Sequence, residues 1–222
     1  MDVDLINKIY IIQNEMNIKN GSFNLVKELK NNFLITYDTT NKLKIWYNPK
    51  LIYTNNIYNI NSLIRIKDNS FITSSKNKLN LFKANIDKNN SIKLNCFSLD
   101  NISVNNKKNS IINLNDNYIV VLVSNIIQEL ELNENISEEY KNKENVDKGI
   151  CLIEIKKNNK LEIIQKIKNE SEIGKFINII KYINDSFLVL NDLGFIELWN
   201  FDKMNKKLIF LNKLKAIDNI YN

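Results

Sequence analysis

Short runs that alternate apolar and polar residues and end on aromatics mark the chain: Leu43-Lys44-Ile45-Trp46-Tyr47, Leu79-Asn80-Leu81-Phe82 and Ile196-Glu197-Leu198-Trp199. A two-residue period sends alternate side chains to opposite faces of a sheet, so each run predicts a strand with one packed and one more open face. Ahead of them lies a phrase that occurs four times. Leu29-Lys30-Asn31-Asn32-Phe33-Leu34-Ile35-Thr36 is answered by Ile66-Lys67-Asp68-Asn69-Ser70-Phe71-Ile72-Thr73, by Leu114-Asn115-Asp116-Asn117-Tyr118-Ile119-Val120 and by Ile183-Asn184-Asp185-Ser186-Phe187-Leu188-Val189. Each copy is an aliphatic residue, a polar turn, then an aromatic followed by aliphatics. Asn, Asp and Ser suit the turn because they tolerate left-handed backbone and bond their own main chain. Aromatic and β-branched residues suit the strand that follows. The phrase predicts a hairpin.

The surroundings of each phrase repeat as well. A short aliphatic strand precedes it, as in Leu63-Ile64-Arg65-Ile66, and a fourth strand follows the alternating one, as in Leu208-Ile209-Phe210-Leu211. Four strands per unit divide the chain at approximately 21–57, 58–105, 106–170 and 171–214. Residues 1–20 are read as an N-terminal strand or extension, and 215–222 as a tail or the start of a further blade. Phe33, Phe71, Tyr118 and Phe187 lie 38, 47 and 69 residues apart. The last spacing is long because an acidic insertion, 125–148, falls between the second and third strands of the third unit. Surface loops tolerate such insertions, since loop closure grows costlier only slowly with length.

Four-stranded antiparallel units of about 40 residues, ending a hydrophobic-x-hydrophobic pair with Trp in Leu43-Lys44-Ile45-Trp46 and Ile196-Glu197-Leu198-Trp199, resemble the WD-repeat β-propeller family. Phe82 takes the aromatic place in the second unit, while the third has Lys156 after Ile153-Glu154-Ile155. Tyr47 and Asn200 stand where the family has Asp, and its Gly-His pair is missing. The resemblance covers roughly residues 20–214 and implies an all-β, propeller-like chain of about four blades. Such rings usually close with seven, so the chain reads as a partial or open ring: either a fragment of a longer protein or a propeller completed by a partner.

Composition narrows the chemistry. Forty-three Asn, 37 Ile and 30 Lys make up about half of the 222 residues, so no single Asn or Lys is informative by its type. The absence of His removes Ser-His-Asp and Cys-His nucleophiles and His-ligated zinc. Cys96 and Cys151 are too few for a thiolate zinc site; they could form one disulfide but are read as two reduced, buried thiols. With only four glycines, a Gly-rich nucleotide cradle cannot be assembled. No apolar run approaches a membrane span, and no signal pattern opens the chain, which points to the cytoplasm or nucleus. The formal charge of +6 is spread over dispersed lysines with a single Arg65, so nucleic acid is not the expected partner.

These observations lead to an expectation of no enzyme activity, catalytic residue, metal, cofactor or small-molecule substrate. The recurring turn carboxylates Asp68, Asp116 and Asp185 read as Asx turns, held well apart on different blades. What the resemblance implies is a protein–protein interaction scaffold whose partner completes or caps the propeller. The rival is a basic surface binding nucleic acid or anionic membrane in a strongly salt-dependent way. The least generic segment is the acidic insertion. It is either a solvated loop or a recognition segment, in which Ile127, Leu130 and Leu132 supply apolar anchors and Glu138 and Glu139 the charge for a basic partner.

Overall fold

The computed structural model describes residues 23–29, 33–47, 50–75, 78–87, 91–100, 102–105, 109–126, 149–169 and 174–216. These residues contain strands and turns and no helix. The first sheet runs β1 (Phe23–Glu28), β2 (Phe33–Asp38), β3 (Lys42–Tyr47), β4 (Lys50–Asn56), and the second β5 (Ser62–Arg65), β6 (Ser70–Ser75), β7 (Lys78–Ile86), β8 (Ile92–Asp100). The third has β10 (Ile111–Asn115), β11 (Tyr118–Ile126), β12 (Gly149–Ile155) and β13 (Leu161–Lys168); β9 (Ile102–Val104) also pairs with β11. The fourth runs β14 (Phe176–Lys181), β15 (Ser186–Asn191), β16 (Phe195–Asp202), β17 (Lys207–Lys215). Each sheet is an antiparallel meander in chain order. The all-β, propeller-like architecture expected from the repeats is the one observed.

The sheets stack in chain order, with β1, β5, β10 and β14 as neighbours along the inner side and β8, β13 and β17 along the outer. Three hydrophobic cores fill the spaces between consecutive sheets. Ile35, Leu43 and Ile45 of the first sheet meet Leu63, Phe71 and Phe82 of the second. Ile72, Leu79 and Leu81 of the second meet Ile119, Val121, Cys151 and Ile153 of the third. Val120, Leu122, Ile150 and Leu152 of the third meet Phe187, Val189, Trp199 and Phe201 of the fourth. A closed ring of four sheets would need a fourth core, between the last sheet and the first. Among the described residues there are three, so the sheets form an open arc.

Polar links tie neighbouring sheets where backbone groups would otherwise be stranded between them. Lys181 Nζ donates to the Leu114 carbonyl at 2.8 Å, and Asn105 Nδ2 to that of Phe176 at 2.8 Å. The hydroxyls of Ser62 and Ser110 lie 3.0 Å apart between the second and third sheets. At the outer side, Glu154 of β12 accepts from Tyr118 Oη at 3.0 Å and from Lys206 Nζ of the fourth sheet at 3.1 Å, and it also pairs with Lys156. These cations, Lys156 first, hold its carboxyl down at about 2, against burial, which pushes the other way.

Several local readings of the sequence need correction. Ile102–Val104, placed in the second unit, belongs to the third sheet: Val104 pairs with Val123 and Ile102 with Ile126. The same pairing keeps Asn125 and Ile126 within β11, so the insertion begins after them. The hairpin aromatics are not equivalent. Backbone bonds from Ala84 N to Asn69 O, Ile155 N to Asn117 O and Phe201 N to Asp185 O align Asn69, Asn117 and Asp185. Phe71 and Phe187 then correspond to Ile119, and Tyr118 stands one residue earlier. A one-residue step in a strand reverses the face, so Phe71 and Phe187 point back to the preceding sheet. Phe33 and Tyr118 pack toward the following one. The position in β12 corresponding to Trp199 is Ile153, which pairs with Ile119 as Trp199 pairs with Phe187; Lys156 lies beyond the strand. Of the two thiols, Cys151 is buried but Cys96 is exposed on β8, and both are free.

Candidate interaction surface

Each sheet presents one face forward, toward the next sheet, and one backward. The forward faces are built from the same paired positions on the second and third strands. Ile35–Ile45 and Tyr37–Leu43 form the set in the first sheet, and Ile72–Leu81 and Ser74–Leu79 in the second. Val120–Leu152 and Leu122–Ile150 form it in the third, and Leu188–Leu198 and Leu190–Ile196 in the fourth. All twelve side chains in the first three sets are at most 3% exposed. The four in the last sheet are only half-buried. No sheet lies in front of them among the described residues.

Register extends this surface over all four strands of the last sheet. Ile180 on β14 lies opposite Leu188, Ile209 on β17 opposite Asn200, and Leu214 opposite Ile196. Ile180 is 53% exposed, Ile209 36% and Leu214 63%. The polar residues in the middle of the face, Ser186, Asn200 and Asn212, carry no charge, and at its end Asp202 stands opposite Lys207 with opposite charge. A contiguous, neutral, aliphatic sheet face open to water marks an interaction surface, whereas single exposed apolar residues do not.

The other end of the arc differs. The backward face of the first sheet carries Leu34, Thr36 and Trp46, at 2%, 0% and 3% exposure. Trp46 Nε1 donates to Thr36 Oγ1 at 2.9 Å. Trp199, in the corresponding place, donates instead to Glu197 Oε2 at 3.0 Å. Burial pushes the Glu197 carboxyl up, opposed by that hydrogen bond and by Lys213.

The partner-binding residues expected from sequence, Ile127, Leu130, Leu132, Glu138 and Glu139, lie outside the described residues. The insertion that carries them joins β11 to β12, after Ile126 and before Gly149. The turn carboxylates are partly structural: Asp185 pairs with Lys203 at 2.8 Å, and Asp68 takes a left-handed φ of 46°. Asp68 and Asp116, expected to be well apart, line one cleft of about 140 Å³ between the second and third sheets, beside Lys67 and Lys83. Two acids and two lysines thus share its lining. No cluster of His, Cys, Asp or Glu suited to a metal ion occurs among the described residues. No helix there is long and apolar enough to cross a membrane.

The fold thus defines the chain as an all-β, propeller-like arc. No family model matches it, and neither does any curated protein. Solved structures share the fold. A functionally unknown protein from Desulfotomaculum acetoxidans is 14% identical with a TM-score of 0.59, over 86% of this chain and 56% of its own. A protein from Lactobacillus plantarum is 11% identical with a TM-score of 0.61, over 90% of this chain and 57% of its own. The chain therefore spans a little over half the length of either structure.

Proposed function

We propose that this chain is a non-catalytic protein–protein interaction scaffold of the cytoplasm, built on WD-repeat-like blades and working as a subunit or fragment of a larger assembly. The observation that supports this reading is the forward face of the fourth sheet. It repeats the aliphatic positions that are buried in the other three sheets and leaves them open to water. Free energy follows from covering it: roughly 25 cal/mol per Å² of apolar surface removed from water. The packed cores between consecutive sheets hold that face in place, which lowers the ordering cost of binding.

The test is capture by the tagged chain, compared with a Leu188→Lys/Leu198→Lys variant. Both substitutions sit on a half-exposed face, so the fold should survive them while two lysines oppose desolvation of the surface. Partners identified by quantitative mass spectrometry should fall away from the variant while its thermal melt stays cooperative. An unchanged partner set with both proteins defeats the proposal. Repeating the capture across a salt series separates it from the basic-surface rival, whose binding would fall steeply with salt.

A further inference from the structure

We infer that the forward face of the fourth sheet receives another four-stranded blade of the same type, carried by polypeptide outside residues 1–222. This rests on the interaction reading above and specifies what covers the surface. Three interfaces in the arc show the rule. Ile35–Ile45 is covered by a sheet presenting Phe71 and Phe82, and Val120–Leu152 by one presenting Phe187 and Trp199. Ile72–Leu81 is covered by the sheet bearing Ile119 and Ile153. Leu188–Leu198 is the fourth member of this series, in the same register and with no described sheet in front of it.

Three further observations favour a blade over other occupants. The middle of the face carries no charge, so a second sheet could cover it without burying an unpaired ion. Edge-on addition to β17 is opposed by Lys207, Lys213 and Lys215 on that strand, which leaves face-to-face stacking. A second copy added in the same sense would have to offer Leu34, Thr36 and Trp46, and these are already buried. Length agrees. Coverage of 56% and 57% makes the two similar structures about 340 and 350 residues long, so each holds about 150 residues beyond the match. Phe23–Lys215 spends about 48 residues per blade, so the excess corresponds to about three blades.

The experiment lengthens the chain with a second copy of residues 169–216 placed after Ala216. The added blade brings its own connection and the Phe187–Trp199 face, which already fits one forward face of this kind. Urea unfolding is followed for the original and the lengthened chain, each with and without Leu198→Ala in the first copy. In the original, the substitution should lower the folding constant less than about 5-fold, as at a surface. In the lengthened chain it should lower it more than about 50-fold, as in a core. Hydrogen exchange gives a second readout: amides of β15 and β16 should slow at least about 10-fold when the added blade docks. A lengthened chain that exchanges no more slowly and still tolerates Leu198→Ala overturns the inference. So does light scattering that finds the original chain dimeric and Leu198→Lys monomeric, which would give the face to a second copy. Either result, with partner capture still sensitive to the same face, removes the blade as occupant and leaves the interaction reading in place.

Discussion

Leu152 and Leu198 occupy the same place in successive sheets, so truncating each in turn measures how far the arc is open. Leu152 pairs with Val120, is fully buried and packs in the core that contains Phe187 and Trp199. Leu152→Ala removes three carbons from that core. At about 0.8 kcal/mol per buried methylene, the transfer loss is roughly 2 kcal/mol. The cavity left behind brings the total to about 3–4 kcal/mol. Leu198 pairs with Leu188 on the half-exposed face, where water fills the space that the side chain leaves. Leu198→Ala should therefore cost about 1 kcal/mol or less. For a domain of this size 1 kcal/mol moves Tm by about 2–4 °C, so the losses should be roughly 6–16 °C for Leu152→Ala and under about 4 °C for Leu198→Ala. Calorimetry and urea midpoints on the 222-residue chain provide the comparison. Equal, large losses at both positions would mean that the fourth sheet is covered and the arc is not open.

Other expectations follow from individual groups. Lys156 and Lys206 hold the Glu154 carboxyl at about 2, so the stabilisation it provides is complete above the ordinary value of 4.5 and lost as pH falls toward 2. Glu154→Gln should accordingly cost about 1 kcal/mol at pH 7, allowing for solvent screening, and almost nothing near pH 2, in urea titrations at both values. Glu197 has the opposite sign: burial raises its pKa, so its ionisation destabilises the fold as pH rises above 4.5. Glu197→Gln keeps an acceptor for Trp199 Nε1–H and should raise Tm at pH 7 but not at pH 3; a lower Tm at pH 7 refutes this. Burial pushes the Cys151 thiol up to about 12 and also raises that of Cys96, but the Cys96 side chain stays accessible on β8. One equivalent of a thiol reagent should react with the native chain at pH 8 and the second only in denaturant. Among the described residues the buried hydroxyl of Thr73 has no hydrogen-bond partner, so Thr73→Val should be neutral or stabilising by about 1 kcal/mol in a urea melt.

Much of the fold is legible in the residues because strand period, turn chemistry and repetition agree. Leu43-Lys44-Ile45-Trp46 and Ile196-Glu197-Leu198-Trp199 are third strands of their sheets, and each recurring polar phrase leads into a second strand. Sequence likeness failed where one residue decides the face. Phe33 and Tyr118 resemble Phe71 and Phe187 by type and by the polar residues before them, but they stand in the strand one residue out of step. Backbone bonding fixes that step, and the side chains do not reveal it. The open face was illegible for a related reason. Leu188, Leu190, Ile196 and Leu198 read as an ordinary strand core because they are the residues of one; whether they are covered depends on what stands in front of the sheet. An incomplete number of blades implies an exposed face somewhere, and only the stacking order assigns it to the fourth sheet.

The two ends of the arc then carry different physical consequences. Had both terminal faces been open, each chain could stack its last sheet on the first sheet of the next. Such heterologous contacts that do not close generate filaments. Leu34, Thr36 and Trp46 are buried, so that route is shut at the first sheet. Lysines on β17 oppose the other route, in which an exposed edge recruits strands from neighbouring molecules. Among the described residues, what remains is one largely aliphatic face at one end of the stack, able to be satisfied by one sheet at a time. Growth that is limited to a single end can be completed by a single partner, so on the proposed reading the chain would associate without polymerising.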